Sequence, residues 1–121
     1  MIATLLIFAA IVAVVIMTKK STQISDKDAL QYLQTGGLVI DVRSPDEFGS
    51  GHLERAINIP LDEIETTLAT RVNDRNQVLL LHCASGMRSA MAKAKLNRMG
   101  YTRVFNLGSY GRAESLLNRK H

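Results

Sequence analysis

Val78-Leu79-Leu80-Leu81, followed at once by His82-Cys83 and a glycine-containing loop, constrains the fold more than any other stretch of this chain. Four consecutive apolar residues lack the alternation of a strand with one wet face. They read as a central strand covered on both sides, the pattern of a parallel sheet between layers of helices. The flanking segments agree. Ser25 precedes Asp26-Lys27-Asp28 and the spacing Ala29, Leu30, Leu33, with Gly36-Gly37 behind. An N-cap, an acidic first turn, an apolar stripe and a glycine stop predict a helix over about residues 26–35. Leu38-Val39-Ile40 predicts a short buried strand ending at Asp41. Ser44-Pro45-Asp46-Glu47 carries a capping box with Pro at the first helical position, and Gly49 to His52 read as loop. Ala56 to Ile59 forms a brief strand closed by Pro60, and Leu61, Ile64, Leu68 and Val72 fall at helical spacing. After Cys83 a tight loop leads to a helix over about residues 88–98, which Gly100 stops. Val104-Phe105 is a last strand, and Ala113 to Leu117 a last helix. Strands alternating with helices give an α/β fold with a central, mainly parallel sheet.

Charge is distributed unevenly. No Asp, Glu, Lys or Arg occurs from Met1 to Thr18, so all 15 basic and 11 acidic side chains lie in 19–121. As a helix the run would span roughly 25 Å, which Thr18 and the snorkelling stems of Lys19 and Lys20 extend toward a hydrocarbon core of about 30 Å. The expectation is an uncleaved transmembrane helix over residues 1–18, a linker over 19–23 and one folded domain over 24–121. A cleaved secretory signal is the alternative, but nothing basic precedes the run and Ile16-Met17-Thr18-Lys19 is a poor cleavage site. A buried core helix would leave no polar face. Lys19 and Lys20 flank only the carboxyl side, which by the positive-inside rule places the domain in the cytoplasm; removal of a signal would place it in the periplasm or outside the cell. Ala9 and Ala13 have the small-residue spacing of packed membrane helices, a spacing common by chance in such a run, so the oligomeric state stays open.

Composition excludes several classes of function. Setting Lys19 and Lys20 aside leaves 13 of the 15 basic residues against 11 acidic ones, and the chain has no Trp, three Tyr and three Phe. This gives neither the basic surface nor the stacking platforms of a nucleic-acid binder. One cysteine excludes an internal disulfide framework and a Cys-rich zinc site, and His52, His82 and His121 lack zinc-ligand spacing, so no metal is expected.

The chemistry therefore falls to Cys83. A buried strand delivers it to the carboxyl edge of the sheet, where open α/β sheets bind ligands, and the loop Ala84-Ser85-Gly86-Met87 then turns into a helix beginning near Arg88-Ser89. Backbone N–H groups of such a loop converge on the sulfur, and the helix N-terminus and Arg88 both favour the thiolate. A structural cysteine would sit within the apolar run, whereas this one stands at its junction with the loop, as a nucleophile does.

Several motifs in order resemble a single rhodanese (sulfurtransferase) domain: Asp41-Val42-Arg43 with Glu47-Phe48, Gly51-His52-Leu53 through Ala56-Ile57-Asn58-Ile59-Pro60, Cys83 to Arg88 with Ser89, and Tyr101 to Gly108. The likeness covers about residues 24–115, nearly everything after the apolar segment. It implies a small three-layer α/β fold. It also implies a transferase in which Cys83 takes the outer sulfur of a donor such as thiosulfate, carries it as a persulfide and passes it to a thiophilic acceptor such as cyanide or a thiol. The backbone amides of Ala84, Ser85, Gly86, Met87, Arg88 and Ser89 would hold the anionic sulfur, Arg88 would stabilise loop and charge, and no cofactor beyond the covalent persulfide is implied. Cell-cycle dual-specificity phosphatases share the fold but place five residues between Cys and Arg; here there are four, which disfavours phosphatase or arsenate-reductase chemistry. A non-catalytic interaction domain at the membrane is the other alternative, set against the presence of Cys83.

Two positions depart from the family pattern. Arg55 stands where Gly is frequent, and the loop from Ala84 to Met87 carries no charge, which opens polysulfide or glutathione persulfide as donor beside thiosulfate. Asp41 and Arg43 are read as a supporting pair or as turn residues, and His52 as a structural support near the loop. His82 should point to the opposite face from Cys83 and pack there. Lys93, Lys95 and Arg98 read as a solvated face or one lying against anionic lipid. With a single thiol, the persulfide cannot resolve into an internal disulfide, so its discharge needs an external acceptor, a small molecule or a protein.

Overall fold

The computed structural model describes residues 2–10 and 23–119. Within 23–119 the order is α1 (Asp26–Gln34), β1 (Leu38–Asp41), α2 (Pro45–Ser50), β2 (Ile57–Asn58), a 3-10 turn (Leu61–Glu63), α3 (Ile64–Arg71), β3 (Leu79–Cys83), α4 (Met87–Arg98), β4 (Val104–Ser109) and α5 (Tyr110–Asn118). The strands form one sheet in the order β2-β1-β3-β4, every pair parallel. All five residues of β3 are buried at its centre.

The period-2 alternation of β3 divides the core. Leu79, Leu81 and Cys83 face α3 and α4, packing with Ile64, Leu68, Ala92 and Leu96, while Leu80 faces α1 and α5 with Ala29, Leu33, Ala113 and Leu116. Helices thus cover both faces of the sheet, as the apolar run of β3 requires.

Local chemistry sets the helix starts. Ser25 accepts from the Asp28 N–H, and Ser44 and Glu47 cap each other reciprocally with Pro45 in the first turn. Three elements differ from the sequence expectation. The helix after the cysteine loop begins at Met87 because Gly86, at φ 98°, makes the turn that Arg88 was expected to follow. The last strand runs on to Ser109, past Phe105, because a bulge lets it continue: Leu81 pairs with Asn106 but His82 with Gly108, leaving Leu107 as the extra residue. The last helix starts at Tyr110, capped by Ser109, before its apolar stripe begins at Ala113. The turn at Arg55 needs no glycine: no described residue other than Gly has positive φ, and the Arg55 guanidinium donates to the Gly37 carbonyl at 2.7 Å.

Residues 2–10 are helical, with Ile2, Leu5, Leu6, Ile7 and Phe8 61–76% exposed among the described residues. Among the described residues no helix is long and apolar enough to cross a membrane. The expected transmembrane helix over 1–18 therefore has no counterpart there, and residues 11–18, with the linker through 22, lie outside the described residues.

Candidate active site

Cys83 closes β3 and is fully buried, with its sulfur inside the turn that follows. The Gly86 N–H donates to Sγ at 3.0 Å, the Ser89 N–H at 3.4 Å, and the Ser89 hydroxyl lies 3.5 Å away. This convergence needs glycine at 86. Its positive φ aims the N–H inward, and a Cβ there would stand 3.3 Å from the Gly108 Cα on the bulged strand. Burial pushes the Cys83 thiol up, but hydrogen bonds from the Ser89 hydroxyl and from the Ser89, Gly86 and Ser85 amides outweigh it, so the pKa lies below the ordinary thiol value. These donors favour the thiolate over the thiol.

Arg88 is held by a carboxylate from a distant part of the chain. Its guanidinium forks onto Glu47 of α2, Nη1 to Oε1 at 2.6 Å and Nη2 to Oε2 at 2.9 Å. That bidentate pair ties α2 to the first turn of α4 and holds the Glu47 carboxyl down to about 2, with the Ser44 N–H as a second cause. The negative charge of Cys83 is also among the groups that raise the Arg88 pKa, so the guanidinium acts on the thiolate through space. Among Ala84, Ser85 and Met87, the Ser85 amide takes part in holding the sulfur, while Met87 is 70% exposed on the outer side of the loop.

Asp41 and Arg43 do pair. The Asp41 carboxylate accepts from the Arg43 backbone N–H, from Nε and from Nη2 at 2.7–3.0 Å. Arg43 also donates to the Gly51 carbonyl and lies 4.7 Å from the centre of the Tyr110 ring, while Asn58 donates to the Asp41 and Arg43 carbonyls. The pair locks together β1, β2, the turn after α2 and the start of α5. His52 stacks on Phe48 at 3.8 Å and its Nδ1 contacts the Leu53 carbonyl at 2.9 Å. His82 faces away from Cys83 toward Tyr110; burial lowers its pKa, and its Nε2 has no hydrogen-bond partner, Asp41 being 3.8 Å away. Among the described residues no group of three or more His, Cys, Asp or Glu is placed to hold a metal ion.

Two residues here were not singled out from sequence as functional. Glu47 read as half of a capping box and as part of a family motif, with no role at the loop, and Asn106 as part of the closing strand. Asn106 is buried and reaches both the loop and the bulge: Oδ1 accepts from the Ser89 hydroxyl at 2.7 Å and the Gly108 N–H at 2.8 Å, and Nδ2 donates to the Gly86 carbonyl at 3.2 Å. A polar residue inside an apolar strand is the signal that would have found it, because burying an amide without partners is costly.

A parallel sheet that delivers a cysteine into a ring of backbone donors defines a class of α/β proteins built to hold an anionic sulfur or oxyanion on a loop. Residues 25–111 match the rhodanese-like domain family, and the chain belongs to it. Among its relatives, the thiosulfate sulfurtransferase PspE of Escherichia coli (strain K12) is 45% identical over 69 residues, 57% of this chain and 66% of that protein. A sulfurtransferase of Allochromatium vinosum is 37% identical over 70 residues, 58% of this chain and 64% of its own length. The match thus spans just under two thirds of each of these curated relatives. The solved structure of a rhodanese with anions from E. coli superposes with a TM-score of 0.61 at 40% identity, over 64% of this chain and 91% of that one.

Proposed function

We propose that this chain is a sulfurtransferase that moves a sulfane sulfur through a persulfide on Cys83. The observation that carries the reading is the sulfur held by the Gly86 and Ser89 amides at the end of β3. In loading, the Cys83 thiolate attacks the outer sulfur of the donor. With thiosulfate, the S–S bond breaks, sulfite leaves with the electron pair, and Cys83 is left as an anionic persulfide. In discharge, the persulfide first takes a proton from solvent; a thiolate or cyanide then attacks its outer sulfur, the Sγ–S bond breaks, and its electron pair returns to Sγ. No outside oxidant or reductant is needed. The names of the relatives, thiosulfate sulfurtransferase and sulfurtransferase, support the reaction class.

The cradle favours sulfur over phosphate. Its donors are amides and one hydroxyl, while the guanidinium of Arg88 is engaged by Glu47. An uncharged loop without a free cation supports a persulfide or polysulfide donor beside thiosulfate. Thiocyanate formation from cyanide tests the proposal with thiosulfate, polysulfide and glutathione persulfide as donors. Activity that Cys83→Ser abolishes is expected; equal activity in that variant would end the proposal.

The charge-free run 1–18 and the exposed apolar residues of 2–10 support a second element of the reading, a membrane tether that keeps the domain at the bilayer. Alkaline extraction of membranes tests it. A tethered chain stays with the lipid fraction and keeps Met1; a soluble chain that has lost its first residues would instead show signal cleavage.

A further inference from the structure

The Ser89 hydroxyl has one hydrogen and three acceptors within reach: Asn106 Oδ1 at 2.7 Å, the Gly86 carbonyl at 3.1 Å and Cys83 Sγ at 3.5 Å. The orientation of the Asn106 amide follows from its other contacts. The Gly86 carbonyl can only accept, so Nδ2 must face it, and the Gly108 N–H can only donate, so Oδ1 must face that. Asn106 therefore always presents an acceptor to Ser89. The side chains of Asn106 and Ser89 are both buried, so water does not compete for this hydrogen.

Resting on the sulfur-transfer reading above, we propose that Asn106 is a positioning residue that makes the Ser89 hydroxyl a two-position donor, held on Asn106 Oδ1 while Cys83 carries sulfur and turned to Sγ as the thiolate is released. In the persulfide, Sγ is bonded to two atoms and is a weak acceptor, so the shorter contact to Asn106 holds the hydrogen. When an acceptor takes the outer sulfur, the electron pair of the broken Sγ–S bond makes Sγ an anion. The hydroxyl then swings through its free torsion to a charge-assisted contact. No proton is transferred in this step; a hydrogen bond changes acceptor. The contact strengthens only as charge develops on the leaving sulfur, so it favours the transition state of discharge over the loaded ground state. Through Nδ2 on the Gly86 carbonyl, the same asparagine holds the peptide whose N–H is the shortest donor to Sγ.

The test uses the full chain with S89A, N106D and the double variant, reading two quantities. The first is the pH midpoint of Cys83 alkylation by iodoacetamide; the second is the single-turnover rate at which preloaded persulfide is discharged to a thiol. S89A is expected to raise the midpoint and slow discharge about tenfold, the worth of one hydrogen bond to a charged group. In N106D the carboxylate holds the hydroxyl permanently, so N106D raises the midpoint as well, and S89A added to it has little further effect. A merely structural role would lower thermal stability and leave the midpoint in place. An unmoved midpoint in S89A, or effects of the two substitutions that multiply independently, would overturn the proposal. If N106D does not fold, N106A takes its place, and effects of N106A and S89A that multiply independently would overturn the proposal in the same way. Failure of the unaltered chain to load from any donor would instead count against sulfur transfer, while the alkylation profile would still decide the role of the Ser89 hydroxyl.

Discussion

Arg88 and Glu47, 41 positions apart in sequence, meet as a fork with both guanidinium nitrogens on the two carboxylate oxygens. Arg88, expected to stabilise loop and charge, clasps the start of α4 to α2, and the charge of Cys83 is among the causes that raise its pKa.

The clasp sets a pH dependence. Glu47 is held down from 4.5 to about 2 in the folded chain. A carboxyl depressed on folding stabilises the fold above its unfolded pKa, and that contribution fades as pH falls from about 4.5 toward 2. The pair is a third exposed, so screening keeps it to about 1 kcal/mol or less. Glu47→Gln should therefore lower urea stability modestly at pH 7 and make no difference near pH 2, measured by paired denaturation curves.

Gly86→Ala should impair both fold and sulfur. A side chain at φ 98° and 3.3 Å from the Gly108 Cα strains the turn. The cost is about 1–2 kcal/mol for the left-handed backbone before any clash. Thermal melting reads the strain, and the alkylation rate of Cys83 at pH 7 should fall because the closest amide donor is displaced.

Arg43→Ala should be the most damaging single change at the sheet edge. It leaves the fully buried Asp41 carboxylate without its fork, and breaking a buried pair from one side costs about 3–5 kcal/mol. Chemical denaturation measures this loss; a cost under about 1 kcal/mol would mean water replaces the guanidinium.

Removal of residues 1–20 should leave a folded, active domain, because Ile24, just before α1, ties the chain into the fold: its N–H donates to the Asn106 carbonyl and its own carbonyl accepts from Arg112. Circular dichroism and thiocyanate formation on the shortened chain check this; an unfolded product would place the apolar segment in the core.

The sequence made the α/β layering and the place of Cys83 legible because both are local. Caps at Ser25 and Ser44, the apolar run of β3 and the glycine after Cys83 each act within a few residues. What it did not show depends on partners far along the chain. Glu47 looked complete as a cap, although its carboxylate had room for Arg88. Asn106 interrupted an apolar strand, and its partners, Ser89 and Gly86, belong to another element. The bulge that carries β4 to Ser109 was hidden because Gly108 in a short apolar stretch reads as an end.

The most direct test is the intact mass of the full chain after incubation with thiosulfate, polysulfide or glutathione persulfide, beside Cys83→Ser. The account predicts a gain of one sulfur atom on the unaltered chain alone, lost again when cyanide or a thiol is added. No gain from any donor, or the same gain in Cys83→Ser, would contradict it.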